Sequence, residues 1–194
     1  AGPSLPVKNL KEFVALVQSQ PGKFSIATVG PATTQHVASE MPKSAMKLNM
    51  IYAPYPGGAP AVTALIGGHV DAVLANYSEV SQQVLAGKIR ALAVTSRERL
   101  AMIKDVPTVA ESGYGDFEAV AWFGFMVTGG SPPAAIARLN AEANKALQAP
   151  DVREKLIAQG MYPVGTTPEQ FDAHIRSEMA KYAKGIKEAG IKVE

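Results

Sequence analysis

The sequence predicts an α/β fold built on a parallel sheet, and three observations carry that expectation. Short apolar and β-branched runs alternate with segments of helical periodicity through the first half of the chain. Two of those runs, Phe24-Ser-Ile-Ala-Thr-Val29 and Asn49-Met-Ile-Tyr-Ala-Pro54, each meet a glycine-bearing turn that opens a helix. Beyond Ser131-Pro132-Pro133 the pattern becomes mostly helical. Strands and helices alternating at the earlier spacing favour a parallel sheet covered on both faces, followed here by a helix-rich part.

Taken in order, Asn9 is placed to cap a helix from Leu10 to Gln18, in which Leu10, Phe13, Val14 and Val17 fall on one face. Pro21-Gly22 ends it. After the first strand, Thr33 or Thr34 is the N-cap candidate for a helix from Gln35 to Lys47, which Pro42 should kink or shorten. The turn Tyr55-Pro56-Gly57-Gly58-Ala59-Pro60 then opens a short helix that stops at Gly67-Gly68. Val70 to Leu74 reads as a third strand, Ser78 to Ala86 as a helix with Gly87 where a left-handed cap is wanted, and Arg90 to Thr95 as a fourth strand. Arg97 to Lys104 is charged and expected to be a solvated face, and Asp105 to Gly113 suggests one helical turn with Pro107 near its start.

Phe117 to Val127 reads as a long apolar strand, with Trp122, Phe123 and Phe125 close together, that passes from one domain to another. A helix carrying Ile136, Leu139, Ala143 and Leu147 follows, and Pro150 separates it from a second at Asp151 to Gln159. Met161 to Val164 suits a short strand. Thr167-Pro168-Glu169-Gln170 is a capping box for a last helix bearing Phe171, Ile175, Met179, Tyr182 and Ile186, closed by Gly190. The domain boundary falls near Ala119, giving an α/β domain over 1–119 and a crossover strand with helices over 120–194.

Composition narrows the function classes. A hydrophobic fraction of 47% over 194 residues is ample for a core. The formal charge of +2, with no run of consecutive Lys or Arg, gives no phosphate-tracking stripe, so nucleic acid is not an expected partner. Cysteine is absent, which excludes thiol catalysis, disulfides and thiolate metal sites. His69 and His174 have no second histidine at i+4, so neither metal nor other cofactor is expected. No apolar stretch is long enough to span a membrane, and Ala1 is not followed by a signal-peptide pattern; the expectation is a soluble chain, cytosolic or already processed. No Gly-x-Ser-x-Gly elbow, P-loop or dinucleotide turn occurs, and no paired acids end neighbouring strands, so no enzyme is expected.

The two glycine turns suggest a binding function instead. If both strands are parallel neighbours, the helices after Gly30 and Gly58 begin at one sheet edge, where first-turn N–H groups and the macrodipole favour an anion. Plainer roles exist for the same residues. Gly57-Gly58 also suits a tight turn packing strand on helix, and Thr33 and Thr34 suit N-caps. A lone His36 on a helix is more often packed or capping than in contact with a ligand. Asp71 is more often a brace for the preceding Gly-Gly turn, and Trp122 core.

Val29-Gly30 through His36, Tyr55 through Gly58, Gly67-Gly68-His-Val-Asp71, Ala86-Gly-Lys-Ile-Arg-Ala-Leu-Ala-Val94, Asp105-Val-Pro-Thr-Val-Ala-Glu111 and Arg138-Leu-Asn140 with Ala149-Pro150 occur in this order. Together they resemble the solute-binding receptors of the tripartite tricarboxylate transporter system, also called the Bug family. The resemblance implies a type II periplasmic binding fold, one nearly complete domain plus a helix-rich partial second one, because the family's members are longer at the N-terminus. It implies periplasmic capture of a small carboxylate for membrane transporter subunits. Carried over, Thr28, Gly30, Thr33 and Thr34, with Tyr55, Gly57 and Gly58, would line the pocket, and Asn76 would sit at its side. Pro56 stands where the family often has a basic residue and Ala75 where it often has an acid. A truncated receptor acting by protein interaction and the effector-binding domain of a transcriptional regulator are the alternatives, and pairing of the Trp122 to Val127 strand with a second copy would make a homodimer. For the regulator, no basic helix-turn-helix is visible.

Overall fold

Burial on one face and hydrogen bonding across three short strands organise the first part of the chain. A computed structural model describes residues 1–30, 34–115 and 117–190. Helix α1 (Leu10–Ser19) starts as expected, with the Asn9 side chain accepting from the Glu12 N–H at 2.9 Å. Its apolar stripe Leu10, Phe13, Val14 and Val17 packs with Leu5, Val7, Phe24, Met46, Leu48 and Met50. Burying each such side chain contributes about 1.5–3 kcal/mol.

Strand β1 (Ser25–Val29) is central, helix α2 spans Thr34–Ala45, and β2 (Ile51–Tyr55) pairs with β1 in parallel from Ser25↔Ile51 to Val29↔Tyr55. Helix α3 (Gly58–Ile66) leads to β3 (Ala72–Val73), which lies on the other side of β1, so the sheet order is β2-β1-β3. Alternation along the strands divides the packing. Ile26 joins the α1 cluster and Thr28 meets α2, whereas Ala27, Ala53, Tyr55 and Val73 face Ala61, Ala64 and Leu65 of α3. Helix α4 (Tyr77–Leu85) follows, and Gly87 adopts φ +67° at its end, the left-handed cap read from the sequence.

Asp71 does something other than brace the Gly67-Gly68 turn. Its carboxylate accepts from the Ser25 N–H at 2.7 Å and the Ser25 hydroxyl at 2.9 Å, tying the start of β1 to β3. Pro42 lies inside α2, which stops at Ala45 rather than Lys47.

Several expected elements do not form. The third strand is two residues long instead of spanning Val70 to Leu74. Arg90 to Thr95 is no strand: its backbone bonds run to irregular segments, from the Arg90 N–H to the Ala1 carbonyl, from the Val94 N–H to Pro107 and from the Val109 N–H to the Val94 carbonyl, with the isolated bridge Val94↔Thr108. A helical one-turn segment begins at Ala101–Ile103, ahead of the expected place. Within 105–113 one i→i+4 bond closes, Ser112 N–H to Thr108 O, and Thr108 and Glu111 bond each other reciprocally as in a capping box that no helix follows. The solvated stretch before it is organised by two ion pairs, Arg97 with Glu118 at 3.1 Å and Arg99 with Glu111 at 2.8 Å.

The chain divides into two compact units, Ala1–Ala121 with the chain from Lys184 on, and Trp122–Ala183. The second holds helices α5 (Pro133–Gln148) and α6 (Pro150–Ala158) and most of α7 (Pro168–Ala189). The capping box before α7 is present: Thr167 Oγ1 accepts from the Gln170 N–H, and the Gln170 side chain accepts from the Thr167 N–H at 3.0 Å. The expected strands at 117–127 and 161–164 are absent, since among the described residues no strand runs alongside to take their hydrogen bonds. Phe123 and Phe125 are 80% and 89% exposed. Trp122 is half-buried, edge-on to Phe171 at 5.7 Å and His174 at 5.1 Å. No described helix is long and apolar enough to cross a membrane.

Candidate anion-binding site

Parallel pairing puts the ends of β1, β2 and β3 at one sheet edge, and α2, α3 and α4 each begin just beyond them. In open parallel sheets this is the edge where ligands bind. Most of the residues singled out from the sequence come to it. Thr28 and Gly30 lie at the end of β1, Tyr55 ends β2, Gly57 and Gly58 open α3, and Asn76 is the N-cap of α4. Thr33 lies outside the described residues, and Thr34 is the first residue of α2. Gly30 has φ +52°, a left-handed conformation that glycine adopts without steric cost.

Individual side chains differ in what they offer. The Thr28 hydroxyl is buried and lies 3.0 Å from His36 Nδ1. The Tyr55 ring packs on the α3 cluster, so its aromatic surface serves the core. Asn76 is held by Glu79: the Asn76 N–H donates to Glu79 Oε2 at 3.2 Å, and its side-chain amide nitrogen donates to Oε1 at 3.3 Å.

Glu79 joins these residues at the edge without having stood out in the sequence. A Cβ placed on Gly58 would stand 2.6 Å from the Glu79 carboxyl carbon, so the carboxylate lies directly over the start of α3. The bare α-carbon of Gly58 makes room for it. The only available sequence signal was the Asn76-x-x-Glu79 spacing of a capping box. The start of α3 therefore already faces a negative charge, which leaves the β1–α2 end as the side of the edge better suited to a further anion.

Behind that end sits a polar cluster. The His36 ring is 5.4 Å from that of Tyr52, Lys43 stands 3.9 Å over the Tyr52 ring and 3.6 Å from Glu40, and Ser39 donates to the His36 carbonyl at 2.7 Å. The Tyr52 hydroxyl is buried beside Glu40 without meeting hydrogen-bond geometry. Burial first, and the Glu40 carboxylate second, raise its pKa above the ordinary phenol value.

Two open grooves lie away from this edge. One, of about 400 Å³, runs along Gly87 to Ala91 beside Gly2 and Pro3; another, of about 530 Å³, is lined by Ile136, Asn140 and Thr167 to Glu169. Neither includes a residue singled out for ligand contact.

Residues 1–191 match the tripartite tricarboxylate transporter family receptor, TctC. Protein BugT of Bordetella pertussis is 36% identical over 194 residues, covering 99% of this chain and 59% of its own length. Among solved structures, Rpa4515 of R. palustris with adipate superposes with a TM-score of 0.89 at 28% identity, covering 98% of this chain and 64% of that one. MatC (Rpa3494) from Rhodopseudomonas palustris with bound malate gives 0.77 at 26% identity, covering 93% and 63%. The chain thus spans less than two thirds of the length of these relatives.

Proposed function

The chain belongs to the tripartite tricarboxylate transporter receptor family, and from that premise we propose that it captures a small organic carboxylate in the periplasm for delivery to membrane transporter subunits. The observation that carries the reading is the shared edge at which β1, β2 and β3 end and three helices begin. Backbone N–H groups and the Thr28 hydroxyl take the carboxylate at the β1–α2 end, around Thr28 and Gly30 with Thr33 and Thr34 beyond. Gly57, Gly58 and Asn76 form the opposite rim. Hydrogen bonds to a charged group contribute about 1.5–3 kcal/mol each, so two or three of them support dissociation constants in roughly the millimolar range. The ligand is bound and released without reaction. The structures of relatives with adipate and malate support a carboxylate as the ligand class.

Calorimetric titration of the chain with adipate, malate and the matching diamides tests this. Saturable heat with the acids and none with the diamides is expected; equal heats would remove the anion from the account.

A second reading is self-association through residues 122–127, favoured by the exposure of Phe123 and Phe125 together with Met126 at 71%. A second copy of the chain would cover these side chains. Native mass spectrometry distinguishes the two states: a dimer lost on Phe125→Ser is expected, and a monomer throughout refutes it.

A further inference from the structure

We propose that His36 acts as a positioning residue for the ligand site, donating from Nδ1–H to Thr28 Oγ1 so that the Thr28 proton is turned toward the bound carboxylate. The inference rests on the carboxylate reading given above. Its basis is directional. A threonine hydroxyl has one proton to give, and a neutral imidazole has one donor nitrogen and one acceptor nitrogen. Thr28 Oγ1 and His36 Nδ1 are 3.0 Å apart, and Thr28 is only 6% exposed, so water does not readily substitute for this partner.

Two arrangements satisfy that distance. In the first, Nδ1 is bare, Thr28 spends its proton on the imidazole, and only oxygen lone pairs remain toward the sheet edge. Lone pairs repel a carboxylate. In the second, Nδ1 carries the proton and donates to Oγ1, which frees the hydroxyl proton for an acceptor. Only the second suits an anion.

The ring is held for this task before a ligand arrives. The Tyr52 ring from β2 lies against it, centroids 5.4 Å apart at 59°, and on α2 itself Ser39 Oγ donates to the His36 main-chain carbonyl at 2.7 Å. Glu40, one turn along α2, and Lys43, over Tyr52, are the nearby charges of the cluster. His36 and Thr28 sit on separate elements, so this alignment is a property of the fold and not of the turn alone.

The test begins with nitrogen NMR of the free chain, in which the His36 ring signals are assigned by their loss in His36→Asn. The Nδ1–H tautomer is expected; an Nε2–H tautomer with bare Nδ1 overturns the proposal whether or not any ligand binds. Adipate titration supplies the second arm, on variants first shown to fold by circular dichroism. Thr28→Val and His36→Leu are each expected to weaken adipate binding by about tenfold or more. His36→Asn, whose amide can still donate from the Nδ1 position, is expected to restore binding to within about threefold of the parent chain. If Thr28→Val binds adipate unchanged, the carboxylate reading at Thr28 fails and the proposal with it. If Thr28→Val weakens binding and His36→Leu does not, the orienting role of His36 alone is refuted.

Discussion

Replacing Gly58 by alanine probes how the edge of the sheet is built. The new Cβ would lie 2.6 Å from the Glu79 carboxyl carbon and Oε2 and 2.7 Å from Oε1, against about 3.4 Å or more for ordinary contact. The carboxylate has to move by roughly 0.8 Å or more, and its bonds from Asn76, at 3.2 and 3.3 Å, have no length to spare. Loss of the cap costs about 0.5–2 kcal/mol. Alanine in place of glycine at a helical position returns about 0.5–1 kcal/mol, so the single substitution alone should change stability little. The informative quantity is the coupling. In a Glu79→Ala background the collision is gone, and Gly58→Ala should then stabilise the chain. A double-mutant cycle by urea unfolding, followed by circular dichroism, should give an interaction energy of about 1 kcal/mol between the sites. Additivity within about 0.3 kcal/mol would refute the placement of Glu79 over Gly58.

Three further outcomes are expected. Gly124→Ala would put a Cβ 2.0 Å from the Phe171 ring that packs on Trp122, so it should destabilise the second unit by about 1–3 kcal/mol and change Trp122 fluorescence. Because the folded Tyr52 pKa is raised above the ordinary 10.0, its contribution to stability is complete below that value and is lost as pH rises beyond it. Tyr52→Phe should therefore reduce alkaline destabilisation, measured by thermal unfolding across that window, and an unchanged profile would count against the buried phenol. The Arg99 pair holds the Glu111 carboxyl below the usual carboxylate range, so the clasp it makes with Thr108 is present above that range and released as acid titrates the group. Both partners are exposed, and the effect should fade in high salt, which NMR of the Thr108 amide reports.

The first unit was legible where local chemistry and tertiary packing agree. In that unit the Asn9 cap, the α1 stripe and the glycine turn after β2, and in the second unit the Thr167 capping box, depend on neighbours within a few residues, and all are found as read, whereas most of the turn after Gly30 lies outside the described residues. Arg90 to Thr95 and Phe117 to Val127 have strand-like sequences, yet a strand exists only with a partner, and the partner is not a local property. Among the described residues their backbones meet irregular segments and each other, as where the Ala119 N–H donates to the Thr95 carbonyl, and neither joins the sheet. At the site, Gly57 and Gly58 read either as a ligand-lining turn or as a tight packing turn, and the group that stands over Gly58, Glu79, is 21 residues further on and arrives through the packing of α4 on α3. The Thr28–His36 pair was hidden for the same reason, since it joins a strand to a helix across a turn. Asp71, read as a turn brace, has its partner 46 residues earlier in β1.

The most direct test of carboxylate capture at the sheet edge is a titration of the nitrogen-labelled chain with adipate and with malate, followed by amide chemical shifts. Saturable shifts concentrated at Thr28 to Gly30, Tyr55, Gly57 to Gly58 and Asn76, and absent with the matching diamides, are the predicted result. Shifts confined to the Gly87 to Ala91 groove, or none at the edge at ligand concentrations well above the millimolar range, would contradict it.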